Sequence, residues 1–137
     1  MLNFLLIIFL FLITLVDYET RTIPDGLSLL GILLVLHYQS YTGGIGPALL
    51  GIDAGIGVVW AMNSLKLTGL GGGDAKTMAL IGACFGWQAA VMTALFAWLI
   101  YLPFKYRIKQ RTVAYSPYIL AGFFMVKLWN AILYLKI

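Results

Sequence analysis

The chain has 137 residues, of which 62% are hydrophobic and only 10% charged, and a mean hydropathy of +0.96 that excludes the surface of a water-soluble domain. Its net charge of +4 reads as loop charge facing lipid headgroups and cytoplasm. No basic stripe with interleaved exposed aromatics is present, so a nucleic-acid partner is not expected. The single cysteine, Cys84, lies in an apolar run, can neither close an internal disulfide nor build a metal site alone, and is expected to pack in the core.

A spanning helix needs roughly 20 apolar residues, which leaves room for about six short helices and little else. The first segment, 2–16, is broken only by Asn3 and Thr14 and lacks the cationic start of a signal peptide, so it reads as a retained helix. Further apolar segments follow at about 27–41, 45–64, 75–85, 88–104 and 113–135. The fold class is therefore all-α, a polytopic membrane bundle of about six transmembrane helices. The fourth segment is short and Gly86-Trp87 is a minimal turn, so segments four and five are expected to tilt or sit thinly in the bilayer, with five spans as the alternative. His37 and the aromatics near segment ends, Tyr38, Tyr41, Trp87, Tyr101 and Tyr134, read as interfacial anchors.

Loop charge sets the orientation. The first, third and fifth loops hold Arg21, Lys66, Lys76, Lys105, Arg107, Lys109 and Arg111, seven of the nine cationic residues. Cationic flanks resist translocation, so these loops belong in the cytoplasm and both termini outside. Asp17 and Asp74 then share the cytoplasmic face. Two carboxylates held close together cannot both ionise cheaply; one proton is shared, leaving a base toward water and an acid toward a carbonyl, the chemistry of peptide hydrolysis. The glycines of Gly71-Gly72-Gly73-Asp74 are expected to allow unusual backbone angles and close approach of a helix or substrate.

Each residue also has a structural reading. Asp17 marks where a helix leaves lipid, and Asp74 caps the fourth helix. Asp25 reads as the N-cap of the second helix after Pro24 fixes the turn. Lys76 either holds a carboxylate anionic or meets a headgroup, and Glu19 and Arg21 solvate a loop. Asp53, about eight residues into the third segment, is expected to be protonated or hydrogen-bonded to a neighbouring helix, because a bare charge there is expensive.

Asp17-Tyr18-Glu19-Thr20-Arg21-Thr22-Ile23-Pro24-Asp25 resembles the aspartate-to-Pro-Asp signature of type IV prepilin peptidases, and Gly71-Gly72-Gly73-Asp74-Ala75-Lys76 resembles their second motif. The stretch Ala79-Leu80-Ile81-Gly82-Ala83 and Gly86-Trp87 is similar to the family's continuation, and Ser116-Pro117-Tyr118 to a degraded form of its later Pro-Phe-Gly-Pro stretch. The resemblance covers about residues 10–125.

That resemblance implies an aspartic endopeptidase of the cytoplasmic membrane that removes the leader of prepilin or pseudopilin precursors, with Asp17 and Asp74 catalytic. Gly71, Gly73, Lys76, Pro24 and Asp25 would be supporting residues, with no metal and no cofactor. Its partners would be those precursors and the lipid bilayer, with the oligomeric state left open. Many family members carry a cytosolic zinc-binding region and methylate the new amino terminus. This chain is expected to be a short form, a single membrane-embedded peptidase domain over 1–137. The competing readings are a non-catalytic membrane subunit or a proton-coupled transporter component, favoured by Asp53, and a signal-peptide-fragment protease. The last carries a tyrosine before its first aspartate, where Val16 stands here.

Overall fold

The computed structural model describes residues 2–21, 23, 25–107 and 114–135. These form six helices: α1 (Leu2–Thr20), α2 (Asp25–Thr42), α3 (Ile45–Ser64), α4 (Gly72–Phe85), α5 (Trp87–Arg107) and α6 (Ser116–Leu135). The all-α bundle expected from the apolar segments is the observed one, with no strand among the described residues. The third segment matches α3 at both ends, while the others differ in ways that have local causes.

The first helix runs four residues past its expected end, through Asp17. Its threonines do not interrupt it, because the Thr14 and Thr20 hydroxyls donate to the carbonyls of Leu10 and Val16, each at 2.7 Å. The chain turns off at Arg21, whose φ of 55° is left-handed and whose amide donates to the Asp17 carbonyl at 2.8 Å. The turn between α4 and α5 shrinks to Gly86 alone, at φ 85°, a conformation glycine adopts without steric cost. Between α3 and α4, the Asn63 side chain accepts the Leu70 amide at 2.9 Å and donates to the Leu70 carbonyl at 2.8 Å, fixing the approach to the glycine triplet.

Three helices, α3, α5 over Trp87–Lys105, and α6, are long and apolar enough to cross a membrane. Their outer faces carry exposed large apolar side chains such as Leu50, Trp60, Leu99 and Leu128, the pattern of a bundle whose solvent is lipid. At 14 residues, α4 is about 21 Å long and falls short of a full span. It is nevertheless the central element: every residue from Thr77 to Cys84 is buried, including Cys84, which packs as expected.

Close approach of backbones holds α4 in place. A Cβ on Gly51 of α3 would fall 1.9 Å from the Gly82 carbonyl oxygen, and one on Gly82 would meet the Gly51 oxygen at the same distance. One turn further on, a Cβ on Gly55 would fall 2.5 Å from the Met78 carbonyl oxygen. The spacing Gly51-x-x-x-Gly55 thus lines one face of α3 with small residues, as helices packing in lipid require. Gly122 of α6 abuts the backbone of Thr93 and Ala97 in the same manner. Asp53 lies between Gly51 and Gly55 in sequence but on the exposed side of α3. The hydrogen bond to a neighbouring helix expected of it is not made among the described residues.

Gly51→Ala or Gly82→Ala is expected to cost about 1–3 kcal/mol by forcing backbones apart. Gly57→Ala, where a Cβ meets open space, is expected to stay within about 1 kcal/mol of the parent. Thermal unfolding in detergent distinguishes the two classes.

Candidate functional site

The end of the bundle where α1 stops and α4 and α6 begin gathers the polar groups. Asp17, on the last turn of α1, is only 6% exposed. Its Oδ2 accepts the Ser116 hydroxyl and, at 3.3 Å, the Ser116 amide. Ser116 opens α6 and Pro117 follows it, so this amide is one of the donors that a helix start leaves without an intrahelical acceptor. A carboxylate there satisfies the donor and faces the positive end of the helix dipole.

Asp74 occupies the third position of α4 and is 9% exposed. Its Oδ2 accepts the Gly71 amide at 3.0 Å, the half of a capping box that a glycine N-cap permits. Both α4 and α6 therefore present their starting turns to a buried carboxylate. Asp74 stands outside the three candidate spans, and burial pushes its carboxyl up to about 6. The Gly71 hydrogen bond opposes that rise, and the negative charge of Asp17 adds to it. The two aspartates, fifty-seven positions apart, thus lie near enough for the charge of one to oppose ionisation of the other.

The remaining sequence candidates divide. Gly73 is required for close approach, since a Cβ there would sit 2.6 Å from the Ile23 Cβ. The neighbour is the α1–α2 connection rather than another helix. Gly71 has an extended backbone, φ −84° and ψ 173°, and a Cβ on Gly72 meets nothing. None of the three has positive φ, so the unusual angles expected of the triplet are not used. Asp25 is the first residue of α2 rather than the residue before it, and its carboxylate pairs with the Lys76 ammonium. Lys76 therefore holds a carboxylate, but that of Asp25 and not of the buried pair. With the Asp25 side chain 72% exposed, the pair contributes modestly. Pro24 lies outside the described residues.

Two neighbours of the pair were not singled out from sequence. Ser116 was legible only as part of a degraded motif, although Ser before Pro at the start of an apolar run is a helix-start signal. Tyr115, just before α6, is 8% exposed and its hydroxyl has no hydrogen-bond partner among the described residues. Its ring meets Tyr101 edge-on at 5.3 Å and Tyr118 at 5.9 Å. Burial, and then the negative charge of Asp74, push its phenol up.

Such a carboxylate pair can hold one proton between two groups, which suits it to activate water on one side and protonate a carbonyl on the other. The raised Asp74 value also has a consequence for stability. The folded chain keeps that proton up to about pH 6, whereas an ordinary carboxyl releases it near 3.8. Between these values the folded state binds more protons, so the contribution is complete below the lower value and is lost as pH rises through the upper one. Melting temperature measured from pH 4 to pH 7 is expected to carry that decline, and Asp74→Asn to flatten it.

Comparison with known proteins adds a family. Residues 4–105, which include both aspartates, match the model of the type IV leader peptidase family. The chain is 33% identical over 132 residues to a prepilin leader peptidase/N-methyltransferase of Escherichia coli K12, covering 87% of this chain and 59% of that protein. Proteins of the same description from Pectobacterium carotovorum and Pseudomonas putida are 28% and 27% identical, over 86% and 89% of this chain and 47% of each relative. The chain thus spans about half to three-fifths of the relatives' length. No solved structure matches. With three quarters of its residues matched by the family model and the paired aspartates inside that match, the chain belongs to the type IV leader peptidase family.

Proposed function

We propose that this protein is an aspartic endopeptidase that cleaves the leader of type IV prepilin-like precursors at the cytoplasmic face of the inner membrane. The observation that carries the reading is the burial of Asp17 and Asp74 at one end of the bundle, each on a helix-start amide and near enough for the charge of Asp17 to oppose ionisation of Asp74. Family membership supports a leader-cleaving peptidase. The cationic residues Arg21, Lys66, Lys76 and Lys105 flank the same end, and that bias favours the cytoplasm.

In this mechanism the shared proton resides on Asp74, whose burial favours the neutral form. Asp17 is the carboxylate, oriented by Ser116. A water between them loses a proton to Asp17 as its oxygen bonds to the scissile carbonyl carbon, and Asp74 gives its proton to the carbonyl oxygen. Collapse of the tetrahedral adduct breaks the C–N bond. The proton held by Asp17 passes to the leaving amine, and that of the adduct hydroxyl returns to Asp74. The precursor's extended leader enters from the cytoplasm while its apolar helix stays in lipid, so packing of that helix sets the register of the cut.

Four of the five acidic residues, Asp17, Glu19, Asp25 and Asp74, lie at this one end. A transporter would distribute carboxylates through the depth of the membrane. Asp53, exposed and apart from the pair, does not supply such a path.

Co-expression with prepilin-like precursors, read by gel shift and by mass spectrometry of the new amino terminus, tests the proposal. Asp17→Ala and Asp74→Ala are each expected to abolish cleavage while the purified variants remain helical. Turnover retained by either would reject the pair. Ser116→Ala removes a charge-assisted hydrogen bond worth about 1.5 kcal/mol, so a loss of about tenfold in kcat is expected.

A further inference from the structure

Asp17 and Asp74 each spend hydrogen-bonding capacity on a helix start: Asp17 accepts from Ser116, and Asp74 accepts from Gly71. The phenol of Tyr115 donates to neither. It is more than nine-tenths buried, its oxygen has no partner among the described residues, and it directly precedes the residue that grips Asp17. A buried hydroxyl left without a partner carries a desolvation penalty. Here it is held by aromatic contacts with Tyr101 and Tyr118 rather than by a polar bond. Its place beside Ser116, whose amide and hydroxyl both bond Asp17, puts Tyr115 at the same end of the bundle as the pair, and the negative charge of Asp74 opposes its ionisation. Burial and that opposition together keep it protonated, and therefore a donor, throughout the working pH range.

We propose that Tyr115 is a third catalytic residue, its hydroxyl donating a hydrogen bond to the carbonyl oxygen of the scissile peptide as that oxygen gathers charge between Asp17 and Asp74. The assignment rests on the peptidase reading above. The tyrosine gives up no proton: as water adds to the carbonyl carbon, Asp17 takes the water proton, Asp74 supplies the one that ends on oxygen, and the phenol only stabilises the charge in transit. A donor fixed beforehand by packing needs no reorganisation at that moment, so its effect falls on kcat rather than on substrate binding. The neighbouring Tyr118, intermediate in exposure, serves to hold the ring.

The test is steady-state cleavage of a prepilin-like precursor by the purified full chain in lipid nanodiscs. Tyr115→Phe, which keeps the ring, is expected to lower kcat by about a hundredfold, with KM within about twofold of the parent. 3-Fluorotyrosine at position 115 retains the ring and strengthens the donor, and is expected to retain parental kcat. Tyr41→Phe, at the exposed far end of α2, is expected to change neither constant by more than about twofold. Parental kcat in Tyr115→Phe overturns the assignment while leaving the aspartates untouched. A loss of turnover with 3-fluorotyrosine equal to that of the phenylalanine variant makes the position structural and overturns it equally. A parent chain that cleaves no precursor instead removes the peptidase reading, and the role of Tyr115 with it.

Discussion

Everything at the polar end of this bundle follows from the problem of burying two carboxyl groups at one end of it. Water is largely excluded from Asp17 and Asp74, so amide and hydroxyl donors take its place. The donors come from the starts of α4 and α6, where a helix has amides left over. One constraint thus fixes three things together: where α4 begins, where α6 begins, and how far α1 must continue to deliver its aspartate. The remaining mutual repulsion is relieved by holding a proton, and burial favours Asp74 for that role.

Rigidity behind the pair comes from contacts with almost no side chain in them. Gly51 against Gly82 and Gly55 against Met78 bring α3 and α4 to backbone contact. In lipid, where apolar side chains gain little by leaving one neighbour for another, close van der Waals packing and interhelical polar contacts are what remain to hold helices together. Because α4 carries Asp74 at one end and is packed by glycines over its middle, the position of that carboxylate is tied to the deepest part of the bundle. Gly73 extends the principle to the site itself by letting Ile23 settle against the first turn of α4.

Much of this was legible in the sequence because lipid imposes a simple rule on composition. Apolar runs gave six helices and their order, and cationic loops gathered both aspartates at one end. The boundaries were less legible where polar residues continue a helix. Thr14 looks like an interruption but returns its hydroxyl to the helix, as does Thr20 beyond the expected end, so α1 passes through Asp17 instead of stopping before it. The glycine triplet was recognisable as a motif, yet its physical use, close approach at Gly73 and a bare N-cap at Gly71, depends on neighbours far along the chain. Lys76 was open between partners for the same reason. Its match to Asp25 crosses 51 positions. Ser116 and Tyr115 were the least legible, since a serine and a tyrosine in an apolar sequence carry no sign of the carboxylate that the one will bond or of the burial of the other.

The bond from Ser116 to Asp17 joins residues 99 positions apart in a sequence of 137. At a synthesis rate of about 5–20 residues per second, the first aspartate waits roughly 5–20 seconds on the ribosome before the serine that steadies it is even made. A nascent chain that stops short of α6 therefore carries Asp17 without the hydroxyl and amide that orient it.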